Sequence, residues 1–361
     1  MRFVFISAGN LYICPYISKY IAAIAGAASY DIIYWNRHHI NEDSLGAEQV
    51  FAYKTSTSEL APKWKKVGGF LGFQRFCDKI LRSKLYDGVI LLHTNCAVML
   101  YRVLTKRYRG RYIIDIRDYS MENNPVYYQL EKRLVQNSAV NFISSEGYKK
   151  FLPEGNYHMA HNNYPIPPEV KSKIQDARGK NHPIRVSFIG LVRFFEQSEK
   201  LAASFQGDQR FLFNYFGKNA FLLRDFLNNK GYRANLAFAD QFPPEQTMSF
   251  YEKTDIINNA YGNHSLSLDY AYSNKLYYAA GLGLPILVSP GTYMAKIVEK
   301  YGIGFVFDPG DADAPDKLYQ YYIGIDWAAF DKRCEAFCRM VAEDDQRFVQ
   351  LVKRFIYAAE N

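Results

Sequence analysis

Short apolar runs recur along the chain, each ending in small or polar residues and followed by a longer mixed segment. In the first half Phe3–Ser7, Tyr30–Tyr34, Asp87–His93, Arg111–Ile116 and Val140–Ser144 read as buried strands. In the second half Ile184–Ile189, Phe211–Tyr215, Ala234–Ala239, Asp255–Asn259 and Pro285–Val288 repeat the pattern. Near-continuous apolar strands separated by helix-length segments predict parallel sheets covered on both faces. Leu11–Ala28 is expected as the first helix, Pro243–Thr254 as a later one, and Trp327–Ala359 carries helical periodicity to the C-terminus. The fold class is therefore α/β, with two Rossmann-like, doubly wound domains. Tyr164–His182 holds Pro165, Pro167 and Pro168 among mixed charges and reads as a linker. The expected division is residues 1–164, a linker 165–183, a second domain 184–340 and a C-terminal helix 341–361.

In such sheets ligands gather at the carboxyl ends of the strands, so the residues just past each strand are the candidates. The first strand ends in Gly9 and Asn10; a single glycine there is no dinucleotide fingerprint. Asp87–His93 delivers His93, and the next strand delivers Arg117 and Asp118, placing titratable groups at one sheet edge. Asp115, inside its strand, is expected to cap a backbone group. In the second half Gly190 and Arg193, Gly217, Asp240, Asn259 and Tyr261 occupy the corresponding positions.

The most informative stretch is Ser265–Pro290, a loop, a helix beginning near Ser273 and a buried strand. Ser273 or Asn274 suits an N-cap, since either side chain accepts from a free first-turn N–H. Lys275 then sits in the first turn, where the helix dipole disfavours a cation. An anion on the helix N-terminus would reverse that penalty, because amides, dipole and ammonium would converge on a phosphate. A solvated surface lysine is the alternative.

Composition narrows the partners. The 361 residues, 48% hydrophobic, are enough for two folded domains. A net charge of +8 points to an anionic partner, and the lack of nucleic-acid motifs argues against DNA or RNA. No apolar run approaches a membrane span, and Met1–Ile6 leads straight into a strand. Five cysteines without a CxxC pair suggest reduced thiols and a cytoplasmic setting, with Cys334 and Cys338 as core residues. Lys63–Lys84 interleaves basic residues with Trp64, Phe70, Leu71, Phe73 and Phe76, a pattern that suits an anionic membrane surface. The plainer reading is a solvated helix with its aromatics packed inward, and Gly68, Gly69 and Gly72 should weaken that helix. Asp311-Ala312-Asp313 matches the D-x-D metal pattern but follows Pro309-Gly310 and reads as a surface loop, so no metal site is expected.

SNKLYYAAGLGLPI, the strand after it and GTYMAKIVEKYGIG resemble the donor-binding half of GT-B-fold glycosyltransferases. The stretch is similar to the K-L-x-E-Y-x-A-x-G-x-P variant of bacterial enzymes of capsule, lipopolysaccharide and exopolysaccharide synthesis. Lys275, Leu276, Gly283 and Pro285 match it; Tyr278, Ala279 and Gly281 depart from it. YIIDIRDYS, AVNFISSEG and HNNYP resemble the second half of the N-terminal domain of the same group.

The resemblance implies two domains facing a cleft and a last helix that crosses back to the first. It implies that Gly190, Arg193, Ser273, Asn274 and Lys275 receive the donor diphosphate. Gly217, Asp240, Asn259, Tyr261 and Tyr278 would lie near base, ribose or sugar, and Gly9 and Asn10 near the acceptor. His93, Arg117 and Asp118 are the candidate catalytic residues. Many relatives carry histidine where Arg117 stands, and arginine is a poor general base. Two glutamates of relatives, for ribose and donor sugar, fall at Tyr278 and Tyr270, and a tyrosine cannot accept a pair of hydroxyl protons as a carboxylate does. The implied activity is retaining, metal-independent transfer from a nucleoside diphosphate sugar, UDP-sugar favoured and no cofactor needed. The acceptor would be a glycan or undecaprenyl-linked hydroxyl, met on the inner face of the cytoplasmic membrane. A sugar-nucleotide epimerase or a non-catalytic nucleotide-sugar-binding partner remains as the alternative.

Overall fold

The structure is a computed structural model that describes residues 1–55, 63–180 and 182–358, with residues 63–67 described by their backbone alone. The chain forms two compact units, Met1–His161 with Glu343–Asn361, and Asn162–Ala342.

The first unit carries β1 (Arg2–Ser7), β2 (Ser29–Asn36), β3 (Gln49–Lys54), β4 (Gly88–Leu91), β5 (Tyr112–Ile116), β6 (Val140–Ile143) and β7 (Tyr157–Met159). All pair in parallel, in the order β3-β2-β1-β4-β5-β6-β7. Its helices are α1 (Ile17–Ile24), α2 (Lys63–Ser83), α3 (Thr94–Met99), α4 (Tyr101–Arg107) and α5 (Pro125–Asn137). The second unit carries β8 (Ile184–Ile189), β9 (Phe211–Phe216), β10 (Leu236–Ala239), β11 (Ile256–Asn259), β12 (Ile286–Val288) and β13 (Gly304–Val306). This sheet is also all parallel, ordered β10-β9-β8-β11-β12-β13. Its helices are α6 (Pro168–Ala177), α7 (Phe195–Ser204), α8 (Ala220–Asn229), α9 (Thr247–Tyr251), α10 (Leu266–Tyr270), α11 (Asn274–Leu282), α12 (Tyr293–Tyr301) and α13 (Ala314–Ile323). The last helix, α14 (Trp327–Tyr357), begins in the second unit and ends in the first.

Both sheets reverse direction of growth beside their first strand, between β1 and β4 and between β8 and β11. Loops leaving neighbouring strands in opposite directions open a crevice there, which is where ligands bind in sheets of this kind.

Several elements differ from the sequence expectation for local reasons. The expected helix Leu11–Ala28 is a single 3₁₀ turn, Leu11–Ile13, followed by α1, because Pro15 cannot continue a helix. The stretch expected as a linker belongs to the second unit: Pro168 starts α6, whose Val170 and Ile174 pack in one core with Leu276 and Leu282 of α11. Strand β3 lies at the sheet edge and is only partly buried; the expected strands leave it out, although Val50–Tyr53 is apolar.

Helix α2 is continuous despite its glycines. A Cβ on Gly72 would come within about 2.1 Å of the Tyr53 hydroxyl, so glycine there permits β3 to approach the helix. Phe70 and Phe73 pack on Trp35 at 5.2 and 5.6 Å, and Phe76 packs on Tyr53 at 5.5 Å. The described aromatics of this basic segment thus face inward, leaving Leu71, Arg75, Lys79 and Arg82 as the solvent stripe. The side chains of Lys63, Trp64, Lys65 and Lys66 lie outside the described ones.

Candidate functional site

Helix α11 is built as its sequence suggests. The Ser273 hydroxyl accepts the Lys275 N–H at 3.3 Å, and Gly283 closes the helix at φ 69°. Capping at Ser273 puts Lys275 in the first turn, below the exposed Asn274.

The Lys275 side chain is 8% exposed and makes no ion pair among the described residues. Its ammonium donates one hydrogen bond, to the Tyr261 hydroxyl at 2.7 Å, and lies 4.3 Å from the centre of the Phe188 ring and 5.3 Å from that of Tyr261. An ammonium has three protons to donate, so most of its capacity is uncommitted. Two aromatic faces offset part of the cost of burying the charge, but a buried cation without a carboxylate is an unbalanced one.

The ammonium sits at the crevice of the second sheet. Gly190, at the end of β8, adopts φ 122°, and a Cβ built there would lie 3.9 Å from Lys275 Nζ. Gly217, at the end of β9, adopts φ 129°, and a Cβ there would meet the Gly190 carbonyl oxygen at 2.1 Å. Two adjacent strand ends therefore approach as bare backbone beside the lysine. Tyr261 follows β11, its N–H bonded to the Asn259 carbonyl at 2.9 Å and its ring against Phe188 and Phe194 at 5.5 and 5.3 Å. Asn259 is buried, and its Oδ1 has no partner among the described residues. Arg193 and Asp240 are exposed in the loops after β8 and β10. Tyr278 stacks on Tyr164 at 6.3 Å and packs against Tyr251 at 4.9 Å, half-buried, so the ring is held by its neighbours. Lys275, Tyr261, Gly190 and Gly217 are brought together; Arg193 and Asp240 remain solvent-exposed.

In the first unit the candidates divide differently. Asn10 is fully buried and committed: its Nδ2 donates to Asn36 at 3.0 Å and to Glu42 at 2.8 Å, and its Oδ1 accepts the His38 N–H. Glu42 also accepts the Tyr12 N–H at 2.7 Å, latching the loops after β1 and β2. Sequence reasoning missed Glu42, because nothing in a polar loop marks which carboxylate folds back on a strand end. Gly9 lies against the exposed Ile13, whose terminal methyl would have to shift for a Cβ there.

His93 stands at the end of β4 with φ 137°, a conformation that favours glycine, and caps α3 by accepting the Asn95 N–H on Nδ1 at 3.3 Å. Burial lowers its pKa to about 4, against a smaller opposing pull from Asp115. The ring is therefore neutral near pH 7, with its proton on Nε2, and acts as a donor there.

Arg117 does not face an open site. It is 7% exposed, its Nη2 donates to Asp115 at 2.7 Å and its Nη1 to the Ala160 carbonyl at 2.7 Å, over the Tyr16 ring at 4.1 Å. Asp115, expected to cap backbone, instead receives Arg117 and the Tyr20 hydroxyl. Asp118, next along, is exposed. The D-x-D aspartates form an ordinary turn: Asp311 accepts the Asp313 N–H at 3.0 Å and pairs with Lys317. No cluster of three or more metal-ligating side chains occurs among the described residues.

Solved structures share this architecture over the whole chain. Sucrose-phosphate synthase of Thermosynechococcus elongatus superposes with a TM-score of 0.71 at 13% identity, covering 99% of this chain and 100% of its own. HepE of Anabaena, solved in complex with UDP, gives 0.66 at 12% identity and 99% of both chains. A glycosyltransferase of Rickettsia africae gives 0.63 at 11% identity and 98% of both. The chain has the GT-B fold. At the level of sequence, no protein-family model and no curated protein matches it. Within the GT-B fold, Lys275 lies in the second unit, at the crevice of its sheet.

Proposed function

We propose that the chain is a glycosyltransferase that moves a sugar from a nucleoside diphosphate sugar, a UDP-sugar by preference, to a hydroxyl of a glycan acceptor. Lys275 carries this reading: a buried ammonium with no counter-ion among the described residues, at a helix N-terminus and a sheet crevice, is matched by a diphosphate. The complex of HepE with UDP and the sequence likeness of the Lys275 stretch to donor-binding motifs support the choice of ligand.

In this reading the bond between the sugar's anomeric carbon and the diphosphate oxygen breaks while the acceptor oxygen bonds to that carbon, the acceptor's proton passing to the departing diphosphate. Lys275, the first-turn amides of α11 and Arg193 offset the negative charge that grows on the departing diphosphate, so no divalent metal is required. Attack on the face from which the leaving group departs retains configuration. His93 holds a proton on Nε2 and serves as a donor to a substrate oxygen, while Asp118, exposed just past β5, is the carboxylate assigned to the acceptor.

For the acceptor, we favour a lipid-linked glycan of bacterial surface polysaccharide synthesis, met at the membrane surface. Exposed Tyr12, Ile13, Met121 and Val126 follow β1 and β5, and the outer stripe of α2 is basic. Apolar groups by the strand ends and cations on a helix suit an amphipathic, anionic partner.

Thermal melting of the wild type and of Lys275→Met with UDP, GDP, ADP and their glucose conjugates, with and without EDTA, tests the reading. Saturation at about 100 times the dissociation constant should add roughly 2.7 kcal/mol, unaffected by EDTA and lost in the variant. No shift with any nucleotide overturns it. Binding with turnover in the absence of an acceptor would point to an epimerase.

A further inference from the structure

The direction of one hydrogen bond decides what the Tyr261 hydroxyl can do. The Lys275 ammonium has no lone pair, so in its 2.7 Å contact with the Tyr261 hydroxyl the lysine donates and the phenol oxygen accepts. The phenol proton is thus not used in that bond. No acceptor for it occurs among the described residues. A hydroxyl that accepts from a cation is polarised and becomes a stronger donor in its turn.

The position of the hydroxyl is fixed. Tyr261 is held by its N–H to the Asn259 carbonyl, its ring is braced by Phe188 and Phe194, and the next residue, Gly262, donates its N–H to Ser289 Oγ at 2.8 Å. Phe188 belongs to β8 and Tyr261 follows β11, the two strands that flank the crevice. The ring therefore cannot swing away from Lys275 without disturbing two strand ends. Opposite it, Gly190 leaves backbone alone beside the ammonium.

We propose that Tyr261 and Lys275 form a two-donor clasp for one phosphate group, the Tyr261 O–H and the remaining Lys275 N–H groups donating to the same anion. This inference rests on the diphosphate reading above and goes beyond it by moving Tyr261 from the base and sugar to the phosphate. A group held by a cation and a neutral donor on rigid strand ends is bound as an oxyanion, and its bonds strengthen as its charge grows. Uncharged ligands gain nothing from the clasp.

Calorimetric titration of the wild type, Tyr261→Phe and Lys275→Met with UDP, uridine and inorganic pyrophosphate tests it. Tyr261→Phe keeps the ring and its stacking and removes only the hydroxyl. The clasp predicts a loss of about ten- to a hundredfold in UDP and pyrophosphate affinity, with uridine unchanged, since a hydrogen bond to a charged group is removed. If UDP affinity is unchanged or rises, Tyr261 merely tethers Lys275 and the clasp is wrong. An equal loss for uridine and UDP means a structural role and also overturns it. If UDP does not bind the wild type but pyrophosphate does, and Tyr261→Phe weakens it, the clasp stands and the nucleotide reading falls. If neither binds, both fall.

Discussion

Arg117 and Asp115 stand two positions apart at the end of β5 and bind each other inside the protein, Nη2 to Oδ2 at 2.7 Å, with neither facing solvent. The pair consumes the residue at which a substrate contact was expected. Removing one partner leaves the other charge buried and uncompensated, which costs about 3–5 kcal/mol. Asp115→Ala should therefore lower the melting temperature sharply. Asp118→Asn, one residue past Arg117 and exposed, should leave it within roughly 0.5 kcal/mol of wild type while reducing transfer. Melting curves together with a transfer assay separate the two residues.

Glu131 of α5 is fully buried, and neither carboxylate oxygen has a partner among the described residues. Burial, with a smaller push from Glu122, raises its pKa from 4.5 to about 8. A carboxyl that keeps its proton longer in the fold than in the unfolded chain stabilises fully below pH 4.5 and loses that contribution as pH rises to about 8. Glu131→Gln should be more stable than the wild type by several kcal/mol at pH 9, with the advantage shrinking towards pH 5. Melting temperatures over that range decide it; an advantage independent of pH would refute the assignment.

His93 has the opposite sign. Its pKa falls from 6.5 to about 4, so its contribution to stability is present above pH 6.5 and lost as pH drops through about 4. Nitrogen NMR of the ring should show a neutral imidazole protonated on Nε2 from pH 5 to 8. Because the backbone there favours glycine, His93→Gly should be more stable than His93→Ala by about 1 kcal/mol.

The outer stripe of α2 makes a claim about surfaces. Each cation near an anionic bilayer contributes about 1 kcal/mol. Reversing Arg75, Lys79 and Arg82 to glutamate should abolish sedimentation with phosphatidylglycerol vesicles and leave the melting temperature in place. Unchanged sedimentation would remove membrane contact through this helix.

Much of this was legible in the sequence, and the reasons differ by residue. The strand runs, the Ser273 cap and the place of Lys275 follow from local chemistry, so spacing alone points to them. Arg117 could not be read in this way. Whether an arginine at a strand end turns to solvent or to Asp115 depends on Tyr20 and Ala160, which are distant in the chain. Glu42 was hidden for the same reason, since it acts by a long-range bond to Asn10.

The shared helix α14 has a consequence for biosynthesis. Phe348, Val352, Phe355 and Ile356 complete the core built by β1, β2 and α1, and Lys19 and His161 bind Asp345 and Asp344 of the same helix. The first unit is thus finished by residues translated after the whole of the second. A ribosome-bound chain that had exposed only residues up to Ala342 would hold a complete second unit and a first unit still lacking part of its interior. Termination before Glu343 would cripple the first unit.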